Sequence, residues 1–266
     1  MEAERRAVGF FDSGLGGLCV LDAFRRLCPR ESTVYIADSA NCPYGNRPAA
    51  EIVRLAERNV RRLLRRGCKM VVVACNTATA AAIDTLRGRH PGVPFIGIEP
   101  AVKPAAIRSK TGVVGVLATA GTFGGRLYNE TKAKFAKDVT VVATVADEFV
   151  EIVESLRVVG GSGRGEVTLK DPDSTLIDSG LALSDPGVVA VVRAKVEPLL
   201  AAGCDAIVLG CTHFPHLKPV VEGVCAGRAE VIDPSAAVAR QAKRVLAACG
   251  LSAPPDAEPV HVFIRT

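Results

Sequence analysis

Two cysteines of this 266-residue chain stand at the same place in a repeated frame. Leu63-Leu64-Arg65-Arg66-Gly67-Cys68 is followed by six residues of strand character and then by Cys75. Leu199-Leu200-Ala201-Ala202-Gly203-Cys204 is followed by six more and then by Cys211. A looser pair precedes them in the same order: Val8-Gly9-Phe10-Phe11-Asp12-Ser13 and Val114-Gly115-Val116-Leu117-Ala118-Thr119. The chain therefore reads as two copies of one α/β unit. In open α/β sheets, ligands gather beyond the carboxyl ends of the strands, where crossover helices begin. Both cysteines fall there. Asn76-Thr77-Ala78-Thr79 and Thr212-His213-Phe214-Pro215 follow them with cap-type residues, and Pro215 suits a first helical turn. A helix N-terminus offers free N–H groups and positive dipole, which hold carboxylates and lower a thiol's pKa.

Two such units facing each other across a cleft set one thiol on each side of a bound molecule. Inverting a stereocentre needs that arrangement: a thiolate takes a proton from one face and a thiol returns one to the other. Nearby ionisable groups must set the two protonation states. Asp12, Asp38, Glu154 and His213 are the candidates.

The elements that must position these groups follow from hydrophobic patterning. Short apolar runs alternate with amphipathic stretches, the signature of parallel sheets with helical crossovers. Strands are expected at Ala7–Phe11, Thr33–Ala37, Met70–Ala74, Pro94–Ile98, Gly112–Ala118, Val139–Val145, Ala206–Gly210 and Glu230–Ile232. Helices are expected at Ala49–Arg66 and Val188–Ala202, the first with a solvated arginine face of Arg54, Arg58, Arg61, Arg62, Arg65 and Arg66. Residues 159–186, rich in Gly, Ser, Asp and Pro, read as a long exposed insertion.

Other motifs carry less. Gly14-Leu15-Gly16-Gly17 begins like a dinucleotide fingerprint, but Cys19 stands where its last Gly belongs. Its expected use is a tight turn that brings a ligand against the backbone near Asp12 and Ser13. Cys211-x-His213-x-x-His216 lacks a fourth ligand for a zinc site. A Cys211–His213 hydrolase pair leaves Cys75 idle. His90 and His261 read as surface residues.

Composition narrows the class. Apolar residues make up 48% and charged residues 23%, with 33 basic against 28 acidic side chains and a net charge of +5. That mild excess fits an anionic substrate and does not point to nucleic acid. A chain of this length buries roughly three quarters of its unfolded surface, so disulfide staples are not needed. The nine cysteines include no C-x-x-C pair and read mostly as buried thiols of a reducing compartment. No signal segment or run of ~18 apolar residues is evident, so a cytoplasmic protein without membrane contact is expected.

Taken together, Phe11-Asp12-Ser13-Gly14-Leu15-Gly16-Gly17, Asp38 with Pro43-Tyr44-Gly45, Ala74-Cys75-Asn76-Thr77-Ala78-Thr79 and Gly210-Cys211-Thr212-His213-Phe214-Pro215 resemble the glutamate racemase family, from about residue 7 to residue 247. The resemblance implies two pseudo-symmetric α/β domains, each a mostly parallel sheet flanked by helices, with the active site in the cleft between them. The first would hold residues 1–98 and 213–266, the second 99–212 with the insertion at 159–186. It implies racemisation of L-glutamate to D-glutamate for peptidoglycan, with no cofactor and no metal, by a homodimer. Cys75 and Cys211 become the bases, Asp12 assisting the first and His213 the second, with Asp38 and Glu154 at acidic positions implicated in catalysis. Asp12, Ser13, Pro43, Tyr44, Gly45, Cys75, Asn76, Thr77, Thr119, Thr122, Cys211, Thr212 and His213 form the implied ligand-binding set. A racemase for aspartate, or a binding protein that kept the pocket and lost the chemistry, are the alternatives.

Overall fold

A computed structural model describes residues 3–135, 139–158, 165–169, 177–178 and 184–266. All eight expected strands form, at β1 (Val8–Asp12), β2 (Thr33–Ala37), β3 (Met70–Val73), β4 (Phe95–Gly97), β5 (Val113–Ala118), β6 (Thr140–Val145), β10 (Ala206–Leu209) and β11 (Glu230–Ile232). Four more appear: β7 (Arg157–Val158), β8 (Gly165–Leu169), β9 (Ile177–Asp178) and β12 (His261–Arg265). The main helices are α1 (Leu18–Leu27), α2 (Ala49–Arg65), α3 (Asn76–Arg89), α4 (Val102–Arg108), α5 (Ala120–Phe123), α6 (Arg126–Phe135), α7 (Glu148–Glu154), α8 (Pro186–Ala201), α9 (Lys218–Cys225) and α10 (Ser235–Ala248). Among the described residues, no helix is long and apolar enough to cross a membrane.

The repeat seen in the sequence is a repeat of structure. One sheet runs β4-β3-β1-β2-β12-β8 and the other β11-β10-β5-β6, so the order β4-β3-β1-β2 recurs as β11-β10-β5-β6. The register recurs too: Val8 pairs with Met70 as Val114 pairs with Ala206, all parallel. Each Leu-Leu-x-x-Gly-Cys frame closes a helix. Cys68 N–H returns to Leu63 O and Cys204 N–H to Leu199 O, around Gly67 at φ +74° and Gly203 at φ +85°. A side chain with Cβ is strained at such φ, so glycine ends both α2 and α8. The Leu and Cys of each frame then fill the space where Gly9 and Gly115 carry no side chain, with Cys68 Sγ 3.1 Å and Cys204 Sγ 3.4 Å from the absent Cβ.

The strands β1, β2, β3, β5 and β10 are covered on both faces, which explains their unbroken apolar runs, whereas β6 at the sheet edge stays partly exposed. Phe10, Phe24, Tyr35, Leu117, Phe149, Ile207 and Phe214 belong to one buried cluster that spans both sheets. Phe11, Ile36, Leu55, Leu63, Val71 and Val73 fill the outer face of the larger sheet, and Val114, Val116, Tyr128 and Val208 that of the smaller.

Three features depart from the sequence reading. Strand β11, in the segment assigned to the first unit, completes the smaller sheet, because it follows β10 as β4 follows β3. Within the expected insertion, β8 pairs antiparallel with β12 at the edge of the larger sheet. His261, expected at the surface, is 3% exposed. Its Nδ1 lies 2.8 Å from Thr33 Oγ1, because β12 docks beside β2. Burial, then the nearby Arg25 charge, lowers the His261 pKa to about 4. His90 keeps partial exposure and faces Glu57 at 3.2 Å.

At the amino ends of β2 and β3, away from the cysteines, Lys69 Nζ lies 2.7 Å from Glu31 Oε2 with both side chains buried. Glu31 Oε1 also accepts the Ala253 N–H at 2.7 Å. Removing one partner strands the other charge in low dielectric. Lys69→Met is expected to cost about 3–5 kcal/mol in urea unfolding, and Lys69→Met with Glu31→Leu to recover much of it. A single variant of wild-type stability counts against this.

Candidate active site

The site is built where the carboxyl ends of β1, β3 and β10 meet. Cys75 caps α3 and is 4% exposed; Cys211 follows β10 and is 8% exposed. The two strand ends are tied directly, since Asn76 Nδ2 donates to the Gly210 carbonyl at 2.5 Å. Asp12, at the end of β1, lies between them. Its Oδ2 accepts the Gly17 N–H at 3.0 Å, and its Oδ1 lies 3.5 Å from both Ser13 Oγ and Thr212 Oγ1. Asn76 Oδ1, in contrast, is buried with no hydrogen-bond partner among the described residues. An acceptor left open beside Cys75 is available to a donor brought in by a ligand.

The two thiols have different surroundings. Cys75 Sγ is 3.9 Å from Ser13 Oγ. Burial, then the Asp12 charge, pushes its pKa well above the ordinary thiol range, against the N–H groups of Ala78 and Ser13. The helix N-terminus is present, as expected, but desolvation and a neighbouring carboxylate outweigh it. After Cys211 no α-helix begins; a 3-10 turn at Phe214–Leu217 intervenes before α9. Cys211 instead has an imidazole, with Sγ 3.8 Å from His213 Nδ1.

His213 is 2% exposed, and its Nε2 lies 2.8 Å from Glu154 Oε1. Burial opposes the imidazolium, but hydrogen bonds to Cys211, Cys42 and Glu154 and the Asp12 charge raise its pKa well above the usual value. Glu154 shifts the other way. Burial raises its pKa, while His213, the Leu15 N–H at 2.6 Å and Arg265 lower it further. The expected acidic position on α7 thus orients the histidine.

The Gly14-Leu15-Gly16-Gly17 turn makes room for side chains of the protein itself. A Cβ on Gly14 would lie 1.9 Å from Glu154 Oε1, and one on Gly16 would lie 2.4 Å from His213 Nδ1. Tyr35 OH donates to the Gly14 carbonyl at 2.9 Å and fixes the turn from below.

Asp38, expected near the chemistry, is fully buried with both oxygens committed. Tyr44 OH donates to it at 2.6 Å, and Arg58 Nη2 reaches both oxygens at 2.9 and 3.0 Å. Asn59, Asn41 and Thr266 complete its partners. These bonds hold its pKa down against burial. Arg58 is thus set apart from the solvated arginine face of α2. Tyr44 spends its hydroxyl here, so the network anchors the loop that carries Pro43 and Gly45.

Pro43, Gly45, Thr119 and Glu154 line a cavity of about 330 Å³ together with Cys42, Asp147, Glu151 and Arg265. Cys75 and Cys211 are not in its walls, but Glu154 joins the cavity to the His213–Cys211 pair. Thr119 and Thr122 bond each other at 3.0 Å, and Gly45 O would lie 2.4 Å from a Cβ on Gly121. The loops of the two sheets therefore touch across the site. Thr77 is buried in the first turn of α3. The Cys211–His213–His216 grouping does not form, because His216 Nε2 faces Cys19 Sγ at 3.2 Å and Gly16 O at 3.3 Å. Cys42 and Arg265 were not singled out from sequence; the alternation of His261-Val-Phe-Ile-Arg265 was the signal available for β12.

Residues 19–242 match the family described as Asp/Glu/Hydantoin racemase. The chain belongs to that family. A glutamate racemase of Herpetosiphon aurantiacus is 44% identical over 251 residues, covering 94% of this chain and 89% of its own length. One from Pseudomonas aeruginosa is 42% identical over 253 residues, 95% of this chain and 86% of its own. Among solved structures, the glutamate racemase of Thermus thermophilus in complex with β-chloro-D-alanine superposes with a TM-score of 0.74 at 34% identity, over 99% of this chain and 88% of its own. That of Escherichia coli, in complex with L-glutamate and the activator UDP-MurNAc-ala, gives 0.75 at 30% identity, over 94% and 85%. An Asp/Glu/hydantoin racemase is an isomerase, and a pair of buried thiols at duplicated strand ends suits that class.

Because Glu154 stabilises the His213 imidazolium, Glu154→Gln should lower the His213 pKa in NMR titration. A raised folded pKa stabilises the protein below the unfolded value of about 6.5, and that stability is lost as pH rises through the folded value. The stability difference between wild type and Glu154→Gln should therefore shrink at high pH; a constant gap contradicts the pairing. Gly16→Ala should fold, yet lose about 100-fold in turnover by displacing His213; undiminished turnover contradicts the wedge.

Proposed function

We propose that this chain interconverts L- and D-glutamate without a cofactor, using Cys75 and Cys211 as paired acid and base. The observation that carries the reading is the tie between the strand ends: Asn76, next to Cys75, donates to Gly210, next to Cys211, with Asp12 between them. The relatives at 42–44% identity, named glutamate racemases, support glutamate as substrate. The E. coli neighbour, at 30% identity, was solved with L-glutamate.

In this reading the α-ammonium of glutamate sits by Asp12 and the open Asn76 Oδ1. Hydroxyls of Ser13, Thr77, Thr119, Thr122 and Thr212 and backbone N–H groups hold the two carboxylates. The ammonium offsets the Asp12 charge that keeps Cys75 protonated, so substrate binding itself eases proton loss from that thiol. One thiolate removes the α-proton and the electron pair passes into the adjacent carboxylate. The opposite thiol then donates its proton to the other face of the carbon. Each turnover exchanges the protonation states of the two cysteines. His213, oriented by Glu154, balances charge at Cys211, while Asp12 does so at Cys75. Asp38 holds the Pro43-Tyr44-Gly45 loop from behind. The cavity at Glu154 is the approach for substrate.

The two sheets are proposed as two domains, one centred on residues 1–98 with the C-terminal strand, the other on 99–212 continuing to β11. D-glutamate supply for peptidoglycan, a cytoplasmic location and a homodimer complete the proposal.

Purified protein given L-glutamate alone should form D-glutamate, detected by circular dichroism. Cys75→Ser and Cys211→Ser should each abolish racemisation and leave solvent deuterium entering from one enantiomer only. Equal, undiminished exchange of both enantiomers in either variant excludes the two-base scheme, and faster turnover of aspartate excludes the substrate.

A further inference from the structure

We propose that Cys42, His213 and Glu154 form a binding site for a thiophilic divalent cation, represented by Zn²⁺, and that its occupation competes with the catalytic use of His213. One donor atom from each of the three residues lies within 4.8 Å of the other two, and among the described residues no other group of three or more His, Cys, Asp or Glu donors is so placed. The set is chemically mixed in the way zinc prefers: a thiolate, an imidazole nitrogen and a carboxylate. Tetrahedral ligands at ordinary zinc bond lengths stand roughly 3.4–3.6 Å from one another. His213 Nε2 and Glu154 Oε1 are now 2.8 Å apart, so the ion needs them to part by under about 1 Å.

Access and support are both provided. Cys42 and Glu154 line the cavity of about 330 Å³, whereas His213 is buried behind them. An ion thus enters from the cavity side. Each ligand is held from outside the trio. The Cys42 N–H bonds Ser39 O at 3.2 Å, and Glu154 takes the Leu15 N–H. The His213 backbone lies 2.6 Å from the Cβ that Gly16 lacks, so the ring has little freedom to move. Of these, the Leu15 N–H on the ligating carboxylate is the kind of outer partner that fixes ligand orientation in metal sites. Three protein ligands leave the fourth tetrahedral position for solvent. Arg265 opposes the cation, with Nη2 3.9 Å from Glu154 Oε2.

A cation on Nε2 takes the position of the second imidazole proton and breaks the Glu154 hydrogen bond that orients the ring. His213 can then no longer serve Cys211 as an imidazolium. This consequence rests on the two-cysteine reading, whereas binding of the ion does not.

The test is titration of metal-free, full-length protein with Cd²⁺, followed by thiolate-to-metal charge-transfer absorption, and with Zn²⁺, followed by calorimetry. Wild type should bind one equivalent with a thiolate band. Cys42→Ser, with Cys42→Ala as a second variant and circular dichroism as a folding check, should lose the band. Its Zn²⁺ affinity should fall at least tenfold, since even the loss of an outer-shell partner costs about 10–100-fold. Arg265→Gln should tighten binding, and Cys249→Ser, which removes an exposed thiol, should change nothing. A band and affinity that survive in folded Cys42→Ser overturn the site, as does loss confined to Cys19→Ser or Cys249→Ser. Racemisation measured beside binding should be inhibited by Zn²⁺ in wild type and less so in Cys42→Ser. Persistent turnover with the ion bound at Cys42 overturns the competition. Protein that binds the ion but never racemises glutamate supports the site and counts against the proposed function alone.

Discussion

The arrangement depends on one carboxylate oxygen. Glu154 Oε1 accepts the Leu15 N–H at 2.6 Å and meets His213 Nε2 at 2.8 Å. It thereby joins three pieces of chain remote in sequence: the turn after β1, helix α7 and the loop after β10. A charged acceptor with little solvent around it makes such bonds strong and expensive to break. The aromatic pair beneath, Phe149 of α7 against Phe214 at 5.0 Å, keeps α7 seated on the same loop. The histidine that faces Cys211 is therefore aimed by a carboxylate of its own unit, and that carboxylate is gripped by the turn after β1 of the other unit through the Leu15 N–H.

Room for this contact comes from glycine. The turn Gly14-Leu15-Gly16-Gly17 is crowded on the side where a Cβ would project, with Glu154, His213, Ala74 and Tyr35 all within 3 Å of the absent atoms. A flexible turn is thus made rigid by what fills it. Its backbone then has no freedom to spare, and the Asp12 carboxylate is pinned through the Gly17 N–H. The same logic recurs where Gly45 passes Gly121, letting the loops of the two sheets approach within backbone contact.

Duplication explains both the symmetry and its failure. The paired registers of β1–β3 and β5–β10 and the matching glycine closures put two cysteines at equivalent strand ends. Beyond those ends the copies diverge. Cys75 heads a 14-residue helix and lies under the Asp12 charge, which together with burial favours the thiol. Cys211 is followed by a 3-10 turn and faces a histidine whose charged form is favoured. The two thiols thus sit in different electrostatic surroundings, which suits the different roles proposed for them.

How much of this was legible without coordinates follows from the range of each interaction. Apolar runs marked the eight expected strands, most plainly β1, β2, β3, β5 and β10, since burial on both faces demands unbroken hydrophobic sequence. The Leu-Leu-x-x-Gly-Cys frames revealed the repeat because helix closure and strand packing are local and recur together. The cysteines, Asp12 and His213 were visible because each sits beside a strand end. Tertiary structure decided the rest. Arg265 and His261 gained their places only when β12 docked on β2, a pairing between residues over two hundred positions apart. Cys42 came to His213 through a loop anchored by Asp38 and Arg58, which no local pattern encodes. The glycine turn implies room for a close neighbour, but sequence cannot say whether a ligand or a side chain of the protein will occupy an empty Cβ position. Spacing along the chain fixes what is near in the backbone, whereas contacts between distant segments depend on how the sheets close.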